Sequence, residues 1–531
     1  MKNVELLVRM LEKAGVRWVF GIPSGPVLPL IEALRTSSIQ FVLTASETSA
    51  AFMASTVGHL TGKPGVCVST LGPGATNLAT GVGCAWLDRS PVLAITCNVA
   101  SPWLDRRVQM RIDHHDLFRA LTKATLFLKS GQIAPTVAHA VATACSEPPG
   151  PVHLDLPEDV ASAETLEAAP KVSTRSELPD ISAEVNQAFS AALKRSRRPL
   201  LVTGLTFTRC KAGRELLKFV ETQRIPFVST LHAKGFLPEN HPLWAGVMGR
   251  ARRSDVNALI QKADVILAIG FDPVEINYEE WAGTLPVLHV STESADAGPE
   301  IEFRLNRAGD LDQAIKRLNE LTPFANEWSA LELEKHRRSL ERFLHPDCPE
   351  LGPHHVLDLL RKKLPADAIL AYDVGAHTHQ IGTQWRTDVP RTCLCTNGWS
   401  SMGYGMPAAY AAKLVHPDRV VVGIVGDGCF QMTAGEAALA RRLNLAVPIV
   451  VLKDGWLGLM KVKQERKGYP LSGVYLGKPM ESPAHYFGVP CRGARDEAAL
   501  AEAIEWGLNL GGPAIIEAFI DVEPYSLTVF D

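Results

Sequence analysis

Short apolar segments alternate with helix-like segments along almost the whole chain, and this alternation restricts the fold more than any other feature. In the first third of the chain the apolar segments lie at residues 18–22, 40–44, 66–69 and 92–96. Strands that are buried on both faces are apolar throughout, and parallel strands need long, usually helical, crossover connections. We therefore predict an α/β fold made of doubly wound parallel sheets.

Three blocks of this alternation follow one another in the 531 residues. A polar stretch rich in Ala, Ser and Glu at 158–179 predicts a linker, and a charged helix at 328–344 predicts the next connection. We predict a first domain over residues 1–165, a central domain over 183–330 and a third domain over 353–531. The two outer blocks are similar in kind, which favours two related domains flanking a different one.

The overall composition argues against several classes of protein. The formal net charge of −3 is atypical of a protein that mainly binds nucleic acid. No segment approaches the roughly 18 uncharged apolar residues of a membrane span. The start of the chain reads as an amphipathic helix, without the apolar core and cleavage site of a signal peptide. Ten cysteines without CxxC spacing predict reduced thiols, and we expect a cytoplasmic protein with no membrane partner.

Two aspartates follow strand-like segments in the third block. Asp427 lies in a Gly-Asp-Gly turn, and Asp454 follows the apolar run at 448–452, 454 − 427 = 27 positions later. Successive parallel strands end at the same edge of a sheet, so a βαβ unit would bring the two carboxylates together. Such oxygen ligands suit Mg²⁺ that shares the oxygens of a diphosphate. The alternative is an ordinary turn with solvated acids. Residues 433–436, Thr-Ala-Gly-Glu, have capping-box spacing and predict that the following helix begins there.

This pattern resembles the thiamine diphosphate (ThDP) motif, in which Gly-Asp-Gly is followed by a terminal Asn-Asn pair. The resemblance implies that Asp427, Asp454 and the backbone carbonyl of Trp456 bind Mg²⁺. Here Lys453-Asp454 replaces Asn-Asn, and the second carboxylate adds a negative charge to the site. The resemblance also implies cofactor contacts from the turn itself, at Gly426, Gly428 and Cys429.

One acid of the first block has a comparable position. Glu47 follows the predicted strand at 40–44 and precedes small and apolar residues. Burial among such residues favours the protonated form of a carboxyl group, which is the property needed to give a proton to a ring nitrogen. The alternative is an acid that only interacts with the dipole of the helix it starts.

Nearly the whole chain resembles the acetolactate synthase-like branch of ThDP enzymes. The family's Gly-x-Pro-Gly-Gly reads Gly-Ile-Pro-Ser-Gly at 21–25, its glutamate falls on Glu47, and its Gly-Pro-Gly-Ala-Thr-Asn loop is unaltered at 72–77. The resemblance implies that Glu47 exchanges a proton with the aminopyrimidine ring of the cofactor and that Gln109 faces the reaction centre. It further implies cofactor contacts at Pro23, Gly72, Pro73 and Asn77.

Two segments of the third block carry the same resemblance. Asp-Val-Gly-Ala-His at 373–377 is similar to the family's Asp-Val-Gly-Gln-His, which implies that His377 lies near the diphosphate. Residues 397–407 resemble the segment that cradles the middle of the cofactor. By that match the carbonyl of Ser400 accepts a hydrogen bond from the 4′-amino group, and Met402 supports the bent cofactor. A methionine alone would indicate only core packing.

The resemblance implies ThDP- and Mg²⁺-dependent decarboxylation of a small-molecule 2-oxo acid, with carboligation of the remaining fragment to a second carbonyl. Gly25 stands where aldehyde-releasing decarboxylases carry an acid, which favours ligation. The alternatives are such a decarboxylase, a 2-hydroxyacyl-CoA lyase and a non-catalytic ThDP-binding paralogue. Residues 270–275 resemble enzymes without flavin, so FAD is not expected. A homodimer or homotetramer with active sites at the subunit interface is also implied.

Three basic or histidine-rich segments leave alternatives open. His114 and His115 are similar to a histidine pair of related decarboxylases but lie several residues late, so we predict a solvated loop. The arginines at 250–253 could hold a phosphate of coenzyme A or form a solvated face. The basic run at 461–467 could attract acids to the mouth of a site or form a solvated helix.

Overall fold

The computed structural model describes residues 1–171, 177–276, 281–296 and 301–529. Within these residues the chain forms three sheets in the order of the three predicted blocks. Every strand pairing among them is parallel except one hairpin at the edge of the third sheet. No helix in these ranges is long and apolar enough to cross a membrane. The prediction of doubly wound parallel α/β sheets is confirmed.

The first sheet has the strand order β2-β1-β3-β4-β6-β5. Its strands are β1 Trp18–Gly21, β2 Gln40–Leu43, β3 Gly65–Ser69, β4 Val92–Asn98, β5 Ala124–Phe127 and β6 Pro151–Pro157. Its helices are α1 Asn3–Lys13, α2 Leu28–Arg35, α3 Glu47–Thr61, α4 Pro73–Leu87, α5 His114–Phe118, α6 Ile133–Cys145 and α7 Glu158–Ser162. The last of these helices occupies the start of the predicted linker, of which residues 172–176 lie outside the described residues.

The second sheet has the order β12-β11-β10-β7-β8-β9. Its strands are β7 Pro199–Thr203, β8 Phe227–Ser229, β9 Trp244–Val247, β10 Val265–Ile269, β11 Val287–Ser291 and β12 Phe303–Ala308. Its helices are α8 Ser182–Leu193, α9 Gly213–Gln223, α10 Arg253–Ile260, α11 Leu311–Leu318 and the charged connecting helix α12 Ala330–Leu344.

The third sheet has the order β14-β13-β15-β16-β19-β18-β17. Its strands are β13 Ile369–Tyr372, β14 Cys393–Leu394, β15 Val421–Gly426, β16 Pro448–Lys453, β17 His485–Tyr486, β18 Val489–Ala494 and β19 Ala514–Phe519. Its helices are α13 Pro353–Lys363, α14 Ala376–Gln384, α15 Gly405–Val415, α16 Asp427–Thr433, α17 Ala437–Arg442, α18 Gly458–Arg466, α19 Glu497–Asn509 and α20 Tyr525–Thr528.

The central strands of each sheet are buried on both faces, which explains their continuous apolar runs. In β4, Val92 and Ala94 belong to one hydrophobic core, whereas Leu93 and Ile95 belong to another. Side chains alternate across a strand, so consecutive apolar residues fill two cores on opposite sides of the sheet. The core that contains Val92 also includes side chains of α15 and α17, so it joins the first and third blocks. The ten cysteines are free, as predicted.

The predicted start of the helix after Gly-Asp-Gly is wrong. The helix begins at Asp427, and a short 3-10 turn, Ala434–Glu436, separates α16 from α17. The hydroxyl of Thr433 donates to the carbonyl of Cys429 within α16 instead of capping a new helix. The carboxylate of Glu436 accepts hydrogen bonds from the backbone N–H groups of Ala45 and Ser46 in the first block. A contact between blocks has therefore taken the place of the local cap.

Candidate active site

Four neighbouring strands of the third sheet, β14, β13, β15 and β16, run parallel and end at one edge. The segments that follow them converge there on a cavity of about 350 Å³. Segments far apart in sequence meet at this edge because parallel strands all point their carboxyl ends the same way. The predicted site residues that line this cavity are His377, Ser400, Met402, Gly426, Asp427, Gly428, Cys429, Asp454 and Trp456.

Two carboxylates line the cavity side by side. One oxygen of Asp427 accepts from the N–H of Gly455 at 2.8 Å, and Asp454 accepts from the N–H of Trp456 at 2.8 Å. Burial raises the pKa of Asp427, and burial together with the charge of Asp427 raises the pKa of Asp454 to about 8. Two acids in this arrangement are unfavourable unless a cation shares their charge. The donor set therefore fits a divalent cation such as Mg²⁺, which takes its other ligands from phosphate and water.

The lysine that departs from the Asn-Asn pattern has a partner of its own. Nζ of Lys453 lies 2.9 Å from an oxygen of Glu517, which is buried on β19. The hydroxyl of Tyr486 donates to the same oxygen at 2.7 Å. Because successive residues at a strand end point to opposite faces, Lys453 is neutralised away from the cavity while Asp454 lines it. Among the described residues, the lining of the cavity thus contains two acids and no lysine.

His377 brings a buried ring nitrogen to the same cavity. Its Nε2 has no hydrogen-bond partner among the residues that the structure describes. Burial lowers the pKa of His377 to about 4, so the ring is neutral at pH 7. A buried polar atom without a partner is costly, and a ligand oxygen would satisfy it. This orphaned atom is a second observation that the cavity fits a polar cofactor.

Asp373 joins two segments that line the cavity, the one that follows β13 and the one at 397–407. Motif comparison did not single out this role. The buried carboxylate of Asp373 accepts from the N–H groups of Val374, Gly403 and Gly405 at 2.8–2.9 Å. Ser400 has a φ of +52°, which is strained for a residue with a side chain. The signal available in the sequence was an aspartate directly after a buried strand, the same signal that identified Asp427.

A second cluster forms at the carboxyl edge of the first sheet, where β1, β2 and β3 are neighbours. Pro23 follows β1, Glu47 opens α3 after β2, and the loop at 72–77 follows β3. Glu47 is 8% exposed, and one of its oxygens accepts from Nδ2 of Asn77 at 3.1 Å. A Cβ at Gly74 would approach the other oxygen of Glu47 to 3.3 Å and Cγ2 of Thr70 to 2.9 Å. The intact glycine loop therefore leaves room for this carboxylate.

The segment that carries Gln109 lies against this loop. Gly72 has a φ of +60°, and a Cβ there would come within 2.1 Å of the carbonyl oxygen of Met110. Gln109 itself is exposed beside this contact. The structure thus places Gln109 next to the loop at 72–77, while leaving the role of its side chain a prediction.

The prediction that His114 and His115 lie in a solvated loop is wrong. His114 is 1% exposed in α5, and its Nε2 accepts from the N–H of Gly72 at 3.2 Å. Its Nδ1 lies 2.9 Å from the hydroxyl of Thr96 and 3.4 Å from a carboxylate oxygen of Asp155. Asp113 caps the short helix that begins at His114, and His115 is partly buried. His114 therefore stabilises the start of the glycine loop at 72–77 through this hydrogen bond.

The two clusters remain separate within one chain. Among the described residues, those that line the 350 Å³ cavity all lie between Val374 and Tyr525. Glu47 and the loop at 72–77 contribute nothing to that lining. Each chain thus presents a cluster around the buried Glu47 on the first sheet and a polar, acid-containing cavity on the third.

A parallel sheet whose Gly-Asp-Gly edge carries an acid pair, together with a buried glutamate beside a glycine loop, defines a diphosphate-cofactor enzyme. Models of the thiamine pyrophosphate enzymes match three segments: the N-terminal TPP binding domain at residues 1–117, the central domain at 186–318 and the C-terminal TPP binding domain at 373–518. Thiamine pyrophosphate is another name for ThDP. The chain belongs to the thiamine pyrophosphate enzymes, in their acetolactate synthase-like branch.

Curated relatives place the chain within that family over nearly its full length. A probable acetolactate synthase large subunit of Methanocaldococcus jannaschii is 31% identical over 98% of this chain and 92% of its own length. The large subunit of acetolactate synthase isozyme 1 of Escherichia coli is 30% identical over 98% of this chain and 94% of its own. An acetolactate synthase of Bacillus subtilis is 28% identical over 98% and 93%.

Proposed function

We propose that the protein uses ThDP and Mg²⁺ to decarboxylate a 2-oxo acid and to join the remaining fragment to a second carbonyl compound. The observation that carries this proposal is the cavity in which the Asp427–Asp454 pair and the orphaned Nε2 of His377 meet. Its support is the similarity to acetolactate synthases along almost the whole chain. Neither FAD nor nucleic acid has a part in the proposal.

In this proposal the third block holds the diphosphate end of the cofactor. Asp427, Asp454 and the carbonyl of Trp456 bind Mg²⁺, and His377 offers its ring nitrogen to a phosphate oxygen. Backbone groups of the turn at Gly426, Gly428 and Cys429 complete this contact surface. A helix that begins directly at the turn favours an anion there, because its first N–H groups point outward with the positive end of the helix dipole.

The first block acts on the other end of the cofactor. When bound, ThDP supplies a thiazolium ring that accepts the electron pair released by decarboxylation. Glu47 holds and returns a proton at the pyrimidine ring, and Asn77 orients its carboxylate through their hydrogen bond. Pro23, Gly72 and Pro73 contact the ring from the same sheet edge. Gln109 faces the substrate.

The third block also contacts the middle of the cofactor. The carbonyl of Ser400 would accept a hydrogen bond from the amino group of the pyrimidine, and Met402 would pack against the middle of the cofactor. Both residues line the same cavity as the acid pair. A flexible thioether suits such a surface because it fills irregular space without a polar requirement.

The separation of the two clusters supports an active site shared between subunits. We propose a homodimer or homotetramer in which the first block of one copy meets the third block of another. The three blocks correspond in this proposal to domains at 1–165, 183–330 and 353–531. A symmetric dimer would complete two such sites at once. The ten free cysteines support the further proposal of a cytoplasmic location.

Proton NMR of the purified protein with ThDP, Mg²⁺ and pyruvate tests this function. We expect loss of pyruvate and the appearance of a ligation product such as acetolactate. Acetaldehyde as the sole product would contradict ligation. If pyruvate is unchanged, a panel of larger 2-oxo acids follows, and the proposal is wrong when none of them is consumed.

A further inference from the structure

The segment between β14 and α15, residues 395–404, contributes Ser400 and Met402 to the lining of the cavity of about 350 Å³. This segment forms neither strand nor helix, so regular secondary structure does not supply acceptors for its backbone N–H groups. Ser400 in addition has a φ of +52°, a conformation that persists only where neighbouring groups hold it. The position of the Ser400 carbonyl therefore depends on the contacts that anchor the segment.

Buried aspartates hold this segment at both ends. Asp373 holds the downstream end through the N–H of Gly403 at 2.9 Å. At the upstream end, Oδ1 of Asp88 accepts from the N–H groups of Asn397 and Gly398 at 3.2 and 2.8 Å. Asp88 is 4% exposed and directly follows α4, so the upstream anchor comes from the first block.

The last turn of α4 fixes Asp88 and packs against the same segment. Oδ2 of Asp88 accepts from Sγ of Cys84 at 3.3 Å, and Nε2 of His232 lies 3.7 Å from Oδ1. A Cβ at Gly398 would lie 2.8 Å from Cβ of Leu87. The backbone of the segment therefore lies directly on the end of α4, and only glycine allows this approach.

Two further contacts relate the anchored residues to Ser400. The indole ring of Trp399 lies over the backbone of α4, because a Cβ at Gly83 would lie 2.6 Å from Cζ2 of that ring. The hydroxyl of Ser400 donates to the carbonyl of Asn397 at 2.7 Å. A displacement of Asn397 would therefore move Ser400 as well, although Asp88 itself does not line the cavity.

We propose that Asp88 is a positioning residue for the cofactor: by holding the start of the segment at 395–404, it places the carbonyl of Ser400 where it accepts from the amino group of the pyrimidine. This inference rests on the proposed function and adds to it a residue outside the cavity. A misplacement of about 1 Å can lower the rate of a reaction by about 100-fold, so an anchor at this distance from the cofactor affects proton transfer as well as binding.

The test compares full-length variants that lose the same kind of contact in different places. Asp88→Ala removes the acceptor of two consecutive N–H groups, and Asp88→Asn keeps an oxygen there. Asp312→Ala is the matched control, because Oδ1 of Asp312 accepts from the N–H groups of Lys211 and Ala212 at 2.7 and 2.9 Å and Asp312 does not line the cavity. Gly398→Ala forces the segment away from α4 without altering Asp88.

Four measurements separate positioning from folding. Hydrogen exchange of the protein without cofactor reports on the amides at 395–404, and denaturant unfolding reports on stability. Calorimetry with Mg²⁺ present gives the Kd for ThDP. Exchange of the C2 proton of bound ThDP for deuterium, followed by proton NMR, reports on proton removal without any substrate.

We expect Asp88→Ala and Gly398→Ala to speed amide exchange at 395–404, to raise the Kd for ThDP about tenfold and to slow exchange of the C2 proton about tenfold or more. Asp88→Asn should recover most of these losses. Asp312→Ala should lower the stability but leave the Kd for ThDP and the exchange of the C2 proton unchanged.

Wild-type Kd and C2 exchange in a folded Asp88→Ala variant would overturn the inference. So would equal losses in Asp312→Ala, because general destabilisation would then explain them. If Asp88→Ala does not fold, Gly398→Ala decides by the same two measurements. ThDP binding to the wild type without consumption of any 2-oxo acid would contradict the proposed reaction alone, whereas a wild type that binds no ThDP would overturn both.

Discussion

At the scale of single residues, the cavity of the third block is defined by two buried carboxylates that lie side by side. Asp427 and Asp454 repel each other, and the lysine that precedes Asp454, Lys453, forms an ion pair with Glu517. On the first sheet, Glu47 has one amide donor and a glycine loop around it. Replacing individual atoms at these positions separates cation binding from proton transfer.

The second carboxylate of the acid pair should be dispensable for cation binding. We expect Asp454→Asn to preserve or improve Mg²⁺ affinity in the presence of ThDP, because the amide keeps an oxygen ligand and removes the repulsion with Asp427. Asp454→Ala, which lacks the oxygen, should bind Mg²⁺ more weakly. Titration of Mg²⁺ followed by calorimetry measures both. A large loss in the Asn variant would show that the site requires two carboxylates.

Glu47→Gln should separate proton transfer from binding. The amide keeps the size of the side chain and can still accept from Nδ2 of Asn77, but it cannot exchange a proton at neutral pH. We expect kcat to fall by about 100-fold or more, with little change in the Kd for ThDP measured by fluorescence quenching. Full activity in this variant would contradict the role assigned to Glu47.

At the scale of elements, the position of α3 depends on a residue of the third block. Glu436, in the 3-10 turn before α17, accepts from the N–H groups of Ala45 and Ser46, which lead directly into α3 and Glu47. Burial raises the pKa of Glu436. The hydrogen bonds of Glu436 therefore connect the segment that follows α16 to the segment that leads into α3.

Removing the hydrogen bonds that Glu436 accepts should affect both stability and turnover. We expect Glu436→Ala to lower the free energy of unfolding by about 1–3 kcal/mol, since two N–H groups lose their acceptor, and to lower kcat because Glu47 is less well held. Glu436→Gln, which retains an oxygen acceptor, should recover most of both. Glu502→Ala on the exposed face of α19 is the control, measured by denaturant unfolding and steady-state kinetics. Equal behaviour of the Ala variant and this control would contradict the role of Glu436.

The connection between α12 and α13 should give a pH-dependent contribution to stability. A hydrogen bond to Asp358 of α13 raises the pKa of His345 from 6.5 to about 9. A histidine whose pKa is higher in the folded state stabilises it fully below about pH 6.5, and the contribution is lost as the pH rises through 9. We expect the difference in Tm between wild type and His345→Gln to be largest near pH 6 and to vanish above pH 9. A difference independent of pH would contradict the ion pair.

At the scale of the whole molecule, one chain carries two clusters that do not share a cavity, so function should require assembly. Glu47→Gln and Asp427→Ala chains should each be inactive alone. If sites form between copies, subunits mixed through unfolding and refolding regain activity, roughly a quarter of the wild type for a dimer, because half the dimers are mixed and each has one intact site. Activity of the mixture no greater than that of the separate variants would place both clusters in one chain's own site.

Much of the fold follows from patterns that are local in the sequence. Runs such as 92–96 and 448–452 form strands whose ends lie within two residues of the predicted ones, because both faces of each strand are buried and the apolar pattern records it. The meeting of Asp427 and Asp454 was also predictable, since parallel strands end at one edge.

Tertiary packing decided the features in which distant residues compete with local ones. Glu436 binds the segment before α3 rather than capping a helix at 433, and His114 turns inward to accept from Gly72. Arg250 and Lys463 line one cavity although each resembles an ordinary surface charge in its own segment. The sequence by itself determined the strands, the three blocks and the acid pair, because periodicity and parallel topology specify them. Only the tertiary structure decided which side chains face each other across blocks, because such contacts depend on how separately formed sheets pack.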